Sequence, residues 1–578
     1  MYVDDCKFKR NNKLYRRVLL RKSYREKGKV KHHTIASISH CSDEEIDAIR
    51  IALKHKKNIT HLENLKNGKS TNGKIVGAVS AIYQIAQRLS IASVLGKTKE
   101  GLLILWLVIA RIIDQGSRLS AVRLARIHAG GEIIGIESIN EDKLYDAMDW
   151  LYVNRKSIEK KLFEKWEKSK SKDRTKNVFL YDITSSYVEG NNNELAMYGY
   201  NRDKKKGKKQ VVYGLLTDED GEPLSIEVFP GNTRDNKTVS DQLEKIKKKF
   251  GCQHITFVGD KGMLKSAQIK AINEENFYYI TSITRPQIEA LLNQNVLQPG
   301  LFDEKLFEVE MEIEDKDKGK DKGKEKGKEK DKDKKSKPIR YILRRNPYRA
   351  EEMKRNRESK IKSIGRKMNQ LNQYLNQHKN AKIEVQKRNL IKYIEKLRMQ
   401  DFVIIEEVHH LRKLELKIDE TVLEEKSKLD GCYVMKTDLP KEVADKELIH
   451  SRYKALSEVE WGFRTVKSFL EARPIYVRKK EKTIAHFEIV KLAYKIERYL
   501  RFAWSDLNLT VHEGVEHLSK IPCIIITIGN TELITVPKPD NESTRLLKRI
   551  NVSLPEILPY REVNVATRNK LEKRRKGR

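Results

Sequence analysis

Two acidic residues follow apolar runs that have the length of buried strands. Asp182 comes directly after residues 178–181 (Val-Phe-Leu-Tyr), and Asp260 comes after residues 255–259 (Ile-Thr-Phe-Val-Gly). An acid at the end of such a run is explained by a cap, a turn or a ligand, and a turn or cap is the commonest explanation for a single Asp. Two acids in the same setting instead predict a paired-carboxylate metal site where two strands of one sheet end.

A third acid, Glu460, lies in a segment with helical periodicity. The apolar positions of this segment form one stripe, which is typical of a helix that packs on a sheet: Leu456, Val459, Phe463, Val466 and Leu470. Tyr453 lies two turns before Glu460 and Lys467 two turns after it, on nearly the same side. Glu460 is therefore in a position to reach the two aspartates, although a solvated helix glutamate has the same pattern.

The elements that must hold these acids are predicted between residues 177 and 285. The pattern gives three strands, a helix, a strand, a helix and a fifth strand, and the hairpin between the second and third strands turns at Asp218-Glu219-Asp220-Gly221. This order predicts an α/β fold with a mixed sheet and helices, as in ribonuclease H-like domains. The helix that carries Glu460 would complete the same domain after a large insertion.

We divide the chain into six segments on this basis. They are a basic hairpin/helix module at 1–70 with predicted DNA contact, a helical region at 71–176 that is predicted to bind DNA, the first part of the catalytic core at 177–285, the insertion at 286–445, the second part of the core at 446–505, and a C-terminal region with a basic tail at 506–578. The insertion contains a Lys/Asp/Glu/Gly segment at 314–337, which is predicted to be a solvated linker, and then a long polar helix.

The first module carries a cluster of cations around its predicted hairpin. We expect these to contact phosphates, although a solvated edge would have the same composition: Arg16, Arg17, Arg21, Lys22, Arg25, Lys27, Lys29 and Lys31. A helix is predicted after Ser42, because Glu45 three residues later completes a capping box.

The composition indicates a polyanionic partner. Lys and Arg total 118 against 82 Asp and Glu, which gives a formal charge of +36. The most apolar segment, residues 102–110, is shorter than the ~20 residues that a bilayer span needs. No signal-peptide pattern follows Met1, and the five cysteines lie far apart without a CxxC pair. We therefore expect no membrane partner, no disulfide framework and no structural zinc site.

Several motifs around the three acids resemble those of the DDE transposases of bacterial and archaeal insertion sequences. The subgroup that they resemble is marked by Tyr, two residues, Arg, three residues, Glu, six residues and Lys. Besides the segment around Glu460, the resemblance rests on residues 181–187 (Tyr-Asp-Ile-Thr-Ser-Ser-Tyr), 229–235 (Phe-Pro-Gly-Asn-Thr-Arg-Asp), 258–263 (Val-Gly-Asp-Lys-Gly-Met) and 473–476 (Arg-Pro-Ile-Tyr).

The resemblance implies roles for individual residues. Asp182, Asp260 and Glu460 would be the catalytic residues and the metal ligands, with Mg²⁺ as the cofactor and Mn²⁺ as a substitute. Leu456 occupies the position of the signature Arg, so that role is vacant or passes to a basic neighbour. The residues expected to contact DNA near the cleaved end are Tyr453, Lys467, Lys454, Arg464 and Arg473.

The resemblance also implies an activity. The chain would be an insertion-sequence transposase that binds the terminal inverted repeats of its element and cleaves and joins double-stranded DNA by a two-metal mechanism. It would act as a homodimer in the prokaryotic cytoplasm, associated with the nucleoid. Two alternatives stay open at this point: a catalytically silent or domesticated DNA-binding protein derived from a transposase, and a ribonuclease H-like metal nuclease.

Overall fold

The computed structural model describes residues 1–10, 13–26, 28–54, 69–170, 177–252, 255–303, 305–311, 338–528, 531–558 and 562–567. The charged segment at 314–337 and the basic tail beyond 567 lie outside these residues. The chain forms two compact units. The first comprises residues 1–84, 122–139 and 507–567, and the second comprises residues 85–121 and 140–506.

The described strands, in chain order, are β1 (Tyr2–Arg10), β2 (Lys13–Glu26), β3 (Lys29–Ser37), β4 (Lys69–Ile75), β5 (Ser138–Ile139), β6 (Asn177–Tyr187), β7 (Gln210–Asp218), β8 (Pro223–Pro230), β9 (Ile255–Val258), β10 (Tyr278–Ser282), β11 (Phe307–Met311), β12 (Ile339–Arg345), β13 (Val403–Val408), β14 (Lys413–Ile418), β15 (Cys432–Thr437), β16 (Pro522–Ile528), β17 (Thr531–Thr535) and β18 (Asn564–Val565).

The described helices are α1 (Asp43–Lys54), α2 (Gly77–Arg88), α3 (Ile91–Leu95), α4 (Lys99–Ile113), α5 (Arg118–Ile127), α6 (Gly130–Ile134), α7 (Glu141–Ser169), α8 (Val239–Glu244), α9 (Ser266–Glu274), α10 (Arg285–Asn293), α11 (Pro347–Gln377), α12 (Ile383–Leu397), α13 (Glu420–Ser427), α14 (Lys446–Lys454), α15 (Leu456–Arg464), α16 (Lys480–Ala503), α17 (Val511–Leu518) and α18 (Asn541–Arg549). Single π-helical turns follow α8 at Lys245–Lys249 and α15 at Thr465–Phe469.

The first unit begins with a three-stranded antiparallel sheet in the order β1-β2-β3, on which α1 packs. The predicted hairpin is β2 and β3, and β1 adds a third strand to it. The capping box at the start of α1 is confirmed, since the backbone N–H of Ser42 donates to Glu45 Oε2 at 2.7 Å and that of Glu45 donates to Ser42 Oγ at 3.3 Å. A second sheet in this unit has the order β17-β16-β4.

The second unit is built on an eight-stranded mixed sheet in the order β11-β12-β15-β10-β9-β6-β7-β8. The five strands predicted between 177 and 285 are β6 to β10, and helical segments lie at both predicted places. Strands β6, β9 and β10 are parallel, and the other neighbouring pairs in the sheet are antiparallel. The mixed sheet with helices confirms the predicted α/β class.

The segment predicted to be an insertion, 286–445, continues this sheet. Strand β15 pairs with β10 on one side and with β12 on the other, so β10 is an interior strand. The rest of the segment packs separately: α11, α12 and the β13–β14 hairpin share a small core that includes Ile364 and Leu390. The long polar helix predicted here is two helices, because α11 ends at Gln377 and α12 begins at Ile383.

Helices cover both faces of the large sheet. On one face, α8, α9 and the end of α7 contribute to a core with the odd-numbered residues of β6, among them Phe179 and Tyr181. On the other face, α15 packs against β6 and β7. The apolar helix α4 and the long helix α7 pack against α16. The helical region at 71–176, which was predicted to bind DNA as one segment, is thus divided between the two units, and α4 and α7 serve the core of the second.

Candidate active site

The pairing of two parallel strands places the two aspartates side by side. Leu180 of β6 is in register with Val258 of β9, and each aspartate lies two residues further along its own chain. Strand β9 has ended at Val258, whereas β6 continues to Tyr187 because β7 pairs with it from Phe179 to Tyr187. The prediction that Asp182 ends its strand is therefore wrong, since it lies within β6, opposite Leu215 of β7.

Helix α15 brings Glu460 to the same face of the sheet. Its buried residues Val459 and Phe463 hold it there, and the Phe463 ring meets Tyr213 edge-on with centroids 5.8 Å apart. A Cβ atom on Gly462 would lie 3.0 Å from the Tyr494 hydroxyl and 3.1 Å from Cδ2 of Leu215, the residue paired with Asp182, so helix and strand approach closely at this glycine. The carboxylate of Glu460 itself is on an exposed residue.

The three acids influence one another electrostatically. Burial raises the pKa of Asp182 to about 7, and the charges of Asp260 and Glu460 act in the same direction. The backbone N–H of Ile183, which donates to Asp182 at 2.7 Å, and the guanidinium of Arg202 oppose that rise in pKa. Within the described residues none of the three acids forms an ion pair.

The oxygen atoms of these acids do not converge on one point. Across the described part of the chain, no three His, Cys, Asp or Glu side chains lie close enough together to hold a metal ion. The donor set nevertheless suits a hard divalent cation, because it consists of carboxylates that form no ion pair with a Lys or Arg of the described residues. A small rotation of exposed side chains at Asp260 and Glu460 costs little, since neither is packed in a core.

Tyr453 lies in the same neighbourhood. Its hydroxyl donates to Ser282 Oγ at 2.7 Å, at the end of β10. Burial raises the pKa of Tyr453 to about 12, with further contributions from Asp260 and Glu460, whereas its hydrogen bond with Ser282 lowers it. The structure therefore brings the predicted tyrosine to the acids. The predicted continuous helix around them is two helices and a π-helical turn, α14, α15 and Thr465–Phe469.

Lys467 and Arg473, both predicted to contact DNA, meet at a buried acid that the sequence did not indicate. Lys467 Nζ lies 3.0 Å from Asp203 Oδ1, and Arg473 donates to the same oxygen. The side chain of Asp203 is only 1% exposed, and its other oxygen accepts the backbone N–H of Tyr187 at 3.1 Å. Asp203 lies in the loop between β6 and β7, and nothing in its local sequence distinguishes it from the other polar residues there.

The vacant arginine position and its basic neighbours differ in exposure. Leu456 is the first residue of α15, and the side chain of Arg452 is buried. Lys454 and Arg464, the other predicted DNA contacts, are exposed. Arg202, which sequence reasoning missed, is instead close enough to lower the pKa of Asp182.

Arg202 also borders an open polar cavity next to the acids. Its guanidinium binds both oxygens of Asp235 at 2.8 Å. The cavity measures about 370 Å³, and its lining includes Tyr200, Arg234 and Lys265 together with the segment after Phe229 whose motif was noted in the sequence. Cations therefore lie beside the carboxylates, on the β8 side of the site.

Comparisons with known proteins identify the family of the chain. Residues 173–496, more than half of the chain, match the family model of the transposase DDE domain, and the chain belongs to that family. Residues 5–63 match the N-terminal domain of IS1634 family transposases. The protein is thus an insertion-sequence transposase of the DDE type, with DNA as its partner and a divalent metal ion as its cofactor.

Other comparisons add little. No curated protein matches the chain. A solved structure that is similar, described as the cryo-EM structure of the piggyBac transposase synaptic complex with hairpin DNA, has 8% sequence identity and a TM-score of 0.33 over 73% of this chain and 70% of that one. No helix in the described ranges has the length and apolarity needed to cross a membrane.

Proposed function

We propose that Asp182, Asp260 and Glu460 are the catalytic carboxylates of this transposase and that they bind Mg²⁺, for which Mn²⁺ would substitute. The observation that carries this proposal is the cluster itself. Three acids share one side of a sheet without a cation partner among the described residues, in a chain whose formal charge is +36. Such a cluster is unfavourable unless a metal ion offsets its charge.

The side chains have distinct tasks in this scheme. Two bound ions would activate a water molecule or a 3′-hydroxyl and stabilise the leaving oxygen. Asp182 is the most fixed ligand, because it lies within a strand and accepts the backbone N–H of Ile183. Asp260, in the turn after β9, and Glu460, on α15, approach it from two other elements.

The DNA strand would be held by cations around the acids. Arg202, Arg234 and Lys265 line the polar cavity and would bind phosphates. They would thereby replace the positive charge of the signature Arg, whose position Leu456 occupies. Exposed Lys454 and Arg464 would contact DNA further from the acids, and Tyr453 would contact it near the cleaved end.

Lys467 and Arg473 would act mainly through Asp203. By holding this buried acid they fix the β6–β7 loop, in which Arg202 is the adjacent residue. They would therefore set the position of a phosphate-binding arginine, besides any contact of their own with DNA.

We also infer a ribonuclease H-like topology for the core. The order β8-β7-β6-β9-β10, with β7 antiparallel to its neighbours and β6, β9 and β10 parallel, supports this. Excision by cut and paste, on paired element ends held by a homodimer, is the activity that we propose for the whole chain. Its location would be the cytoplasm, associated with the nucleoid.

The test is cleavage of a terminal-repeat duplex by single variants. Asp182→Ala, Asp260→Ala and Glu460→Ala should each abolish cleavage in Mg²⁺ while the affinity for the duplex stays within about threefold of wild type. Glu458→Ala is the matched control on the same helix, because its carboxylate faces Arg501 at 4.0 Å, and it should cleave normally. Wild-type cleavage by any of the three triad variants would overturn the assignment.

A further inference from the structure

The two faces of the β1–β3 sheet differ in what covers them. Helix α1 packs on one face, where Val18 and Ile46 are buried in a small core. Strand alternation puts Arg16 on that face and Arg17 on the other. No helix of the described residues is packed on the second face, which we call the open face.

Two arginines on the helix-covered face are paired within the protein. Arg16 binds Asp5 at 2.8 Å and also contacts Asp43 at the start of α1, and Arg50 of α1 binds Asp5 at 2.8 Å and Asp47 at 2.9 Å. The first turn of α1 is acidic, with Asp43, Glu44 and Glu45. Arg16 and Arg50 are therefore already engaged by acids of the module itself.

The arginines of the open face are less fully paired. Arg17 and Arg25 form no ion pair within the described residues, and Arg21 binds Asp4 at 2.7 Å. Arg17 lies over the Phe8 ring, 6.0 Å from its centroid. These cations and a single acid give the open face a net positive charge.

Exposed rings lie among these cations. Phe8 and Tyr15 stack with centroids 6.0 Å apart and are 45% and 47% exposed. Tyr2 is 37% exposed and meets His32 at a ring angle of 80°. Two pairs of exposed rings on one face are unusual on a surface that meets only water, and rings beside guanidinium groups outside ion pairs match the apolar edges and phosphates of DNA.

We propose that the open face of the β1–β3 sheet enters the major groove of the terminal-repeat duplex, with Arg17 and Arg25 as direct contacts and Phe8 and Tyr15 against base edges or sugars. Three strands spaced ~4.8 Å apart make a sheet ~10 Å wide, and the major groove is ~12 Å wide. This inference rests on the transposase function and names the surface that recognises the element ends. It does not depend on the identity of the catalytic carboxylates.

The adjacent arginines allow a matched test in the full chain. Arg17→Gln should weaken binding to the repeat duplex by roughly 10-fold and lower the slope of log affinity against log salt by ~0.9 for a phosphate contact. Arg16→Gln should change affinity less than twofold, because Arg16 already serves Asp5 and Asp43. Circular dichroism should show the same secondary-structure content and melting temperature for Arg17→Gln and wild type. A loss of affinity is then due to a lost DNA contact and not to unfolding.

A second variant covers the rings. Phe8→Ser should also weaken binding to the repeat, and more strongly than binding to random duplex of equal length. The proposal is overturned if Arg17→Gln binds the repeat with wild-type affinity and slope, if Arg16→Gln loses more affinity than Arg17→Gln, or if the losses occur only with single-stranded DNA. These tests measure binding alone, whereas the catalytic assignment is tested by cleavage with Asp182→Ala, which should keep its affinity for the repeat, so either proposal can fail while the other stands.

Discussion

Removing the charge of Asp182 should stabilise the metal-free protein, although it removes activity. Replacing a buried aspartate by asparagine usually destabilises a protein, because the hydrogen bonds of the aspartate are made to its charged form. Within the described residues, Asp182 accepts a hydrogen bond from the backbone N–H of Ile183 and forms no ion pair, and it lies near two other acids. Asparagine keeps the acceptor for the Ile183 N–H and removes the repulsion.

The magnitude follows from the pKa. Asp182 titrates at about 7 in the folded protein against the ordinary value of 3.8, and a difference of about three pH units corresponds to ~4 kcal/mol when the group is fully charged in both states. Burial contributes most of this penalty, and a buried amide also loses hydration, so asparagine removes only part of it. We therefore expect Asp182→Asn to raise the free energy of unfolding by about 1–3 kcal/mol.

The pH dependence has a defined sign. Because the folded pKa lies above the unfolded one, the charged form disfavours the folded state. The penalty is absent below about pH 4, grows as the pH rises toward 7, and is complete above 7. The advantage of Asp182→Asn should therefore be largest at pH 8 and vanish near pH 4.

The assay is urea unfolding in EDTA at pH 8 and near pH 4, followed by melting with added Mn²⁺. Wild type should gain stability from Mn²⁺, and Asp182→Asn should lose most of that gain. Asp218→Asn is the matched control, since Asp218 is buried on the neighbouring strand but accepts Trp166 Nε1 at 3.0 Å and lies 3.1 Å from Lys170 Nζ. It should be destabilised by about 1–3 kcal/mol. If Asp182→Asn were less stable than wild type in EDTA at pH 8, the inference that burial and the neighbouring acids destabilise charged Asp182 would be refuted.

Two further predictions concern the β6–β7 loop and the β11–β12 hairpin. Asp203→Asn should lower the free energy of unfolding in urea by about 2–4 kcal/mol, because Lys467 and Arg473 would then face an uncharged amide in a largely buried site. An unchanged free energy of unfolding would mean that the pairing of these cations with Asp203 contributes little. Replacing residues 312–338 by a four-residue turn should leave cleavage unchanged. It should stabilise the β11–β12 hairpin by at most ~2 kcal/mol, since Met311 and Ile339 are already paired and only the length of the loop changes. A large loss of cleavage would mean that the segment has a role in the reaction.

The sequence predicted the elements whose signals are local. Strands β6 to β10 were visible from apolar alternation and an Asp-Gly turn, and α1 from its capping box. Long-range pairing was not visible, because nothing near β10 or β15 states that the two are neighbours.

The same distinction applies to the site. The three acids could be named from strand and helix patterns and a resemblance, and the structure places them near one another. Asp203 and Arg202 could not be found, since their partners lie far away along the chain or across a turn. Asp182 was placed at a strand end because the length of β6 is set by its partner β7, which the run of residues before Asp182 does not encode.

The position of β15 beside β10 sets an order of events during synthesis. Ile280 pairs with Thr437, so one edge of β10 stays unpaired until about 150 more residues have been made, which takes ~8–30 s at 5–20 residues per second. An uncovered strand edge is a template for aggregation, and a chaperone bound there during this interval would protect the nascent chain. Glu460 emerges later still, so under the proposed assignment a ribosome-bound fragment that already holds both aspartates would lack the third carboxylate and would not cleave DNA.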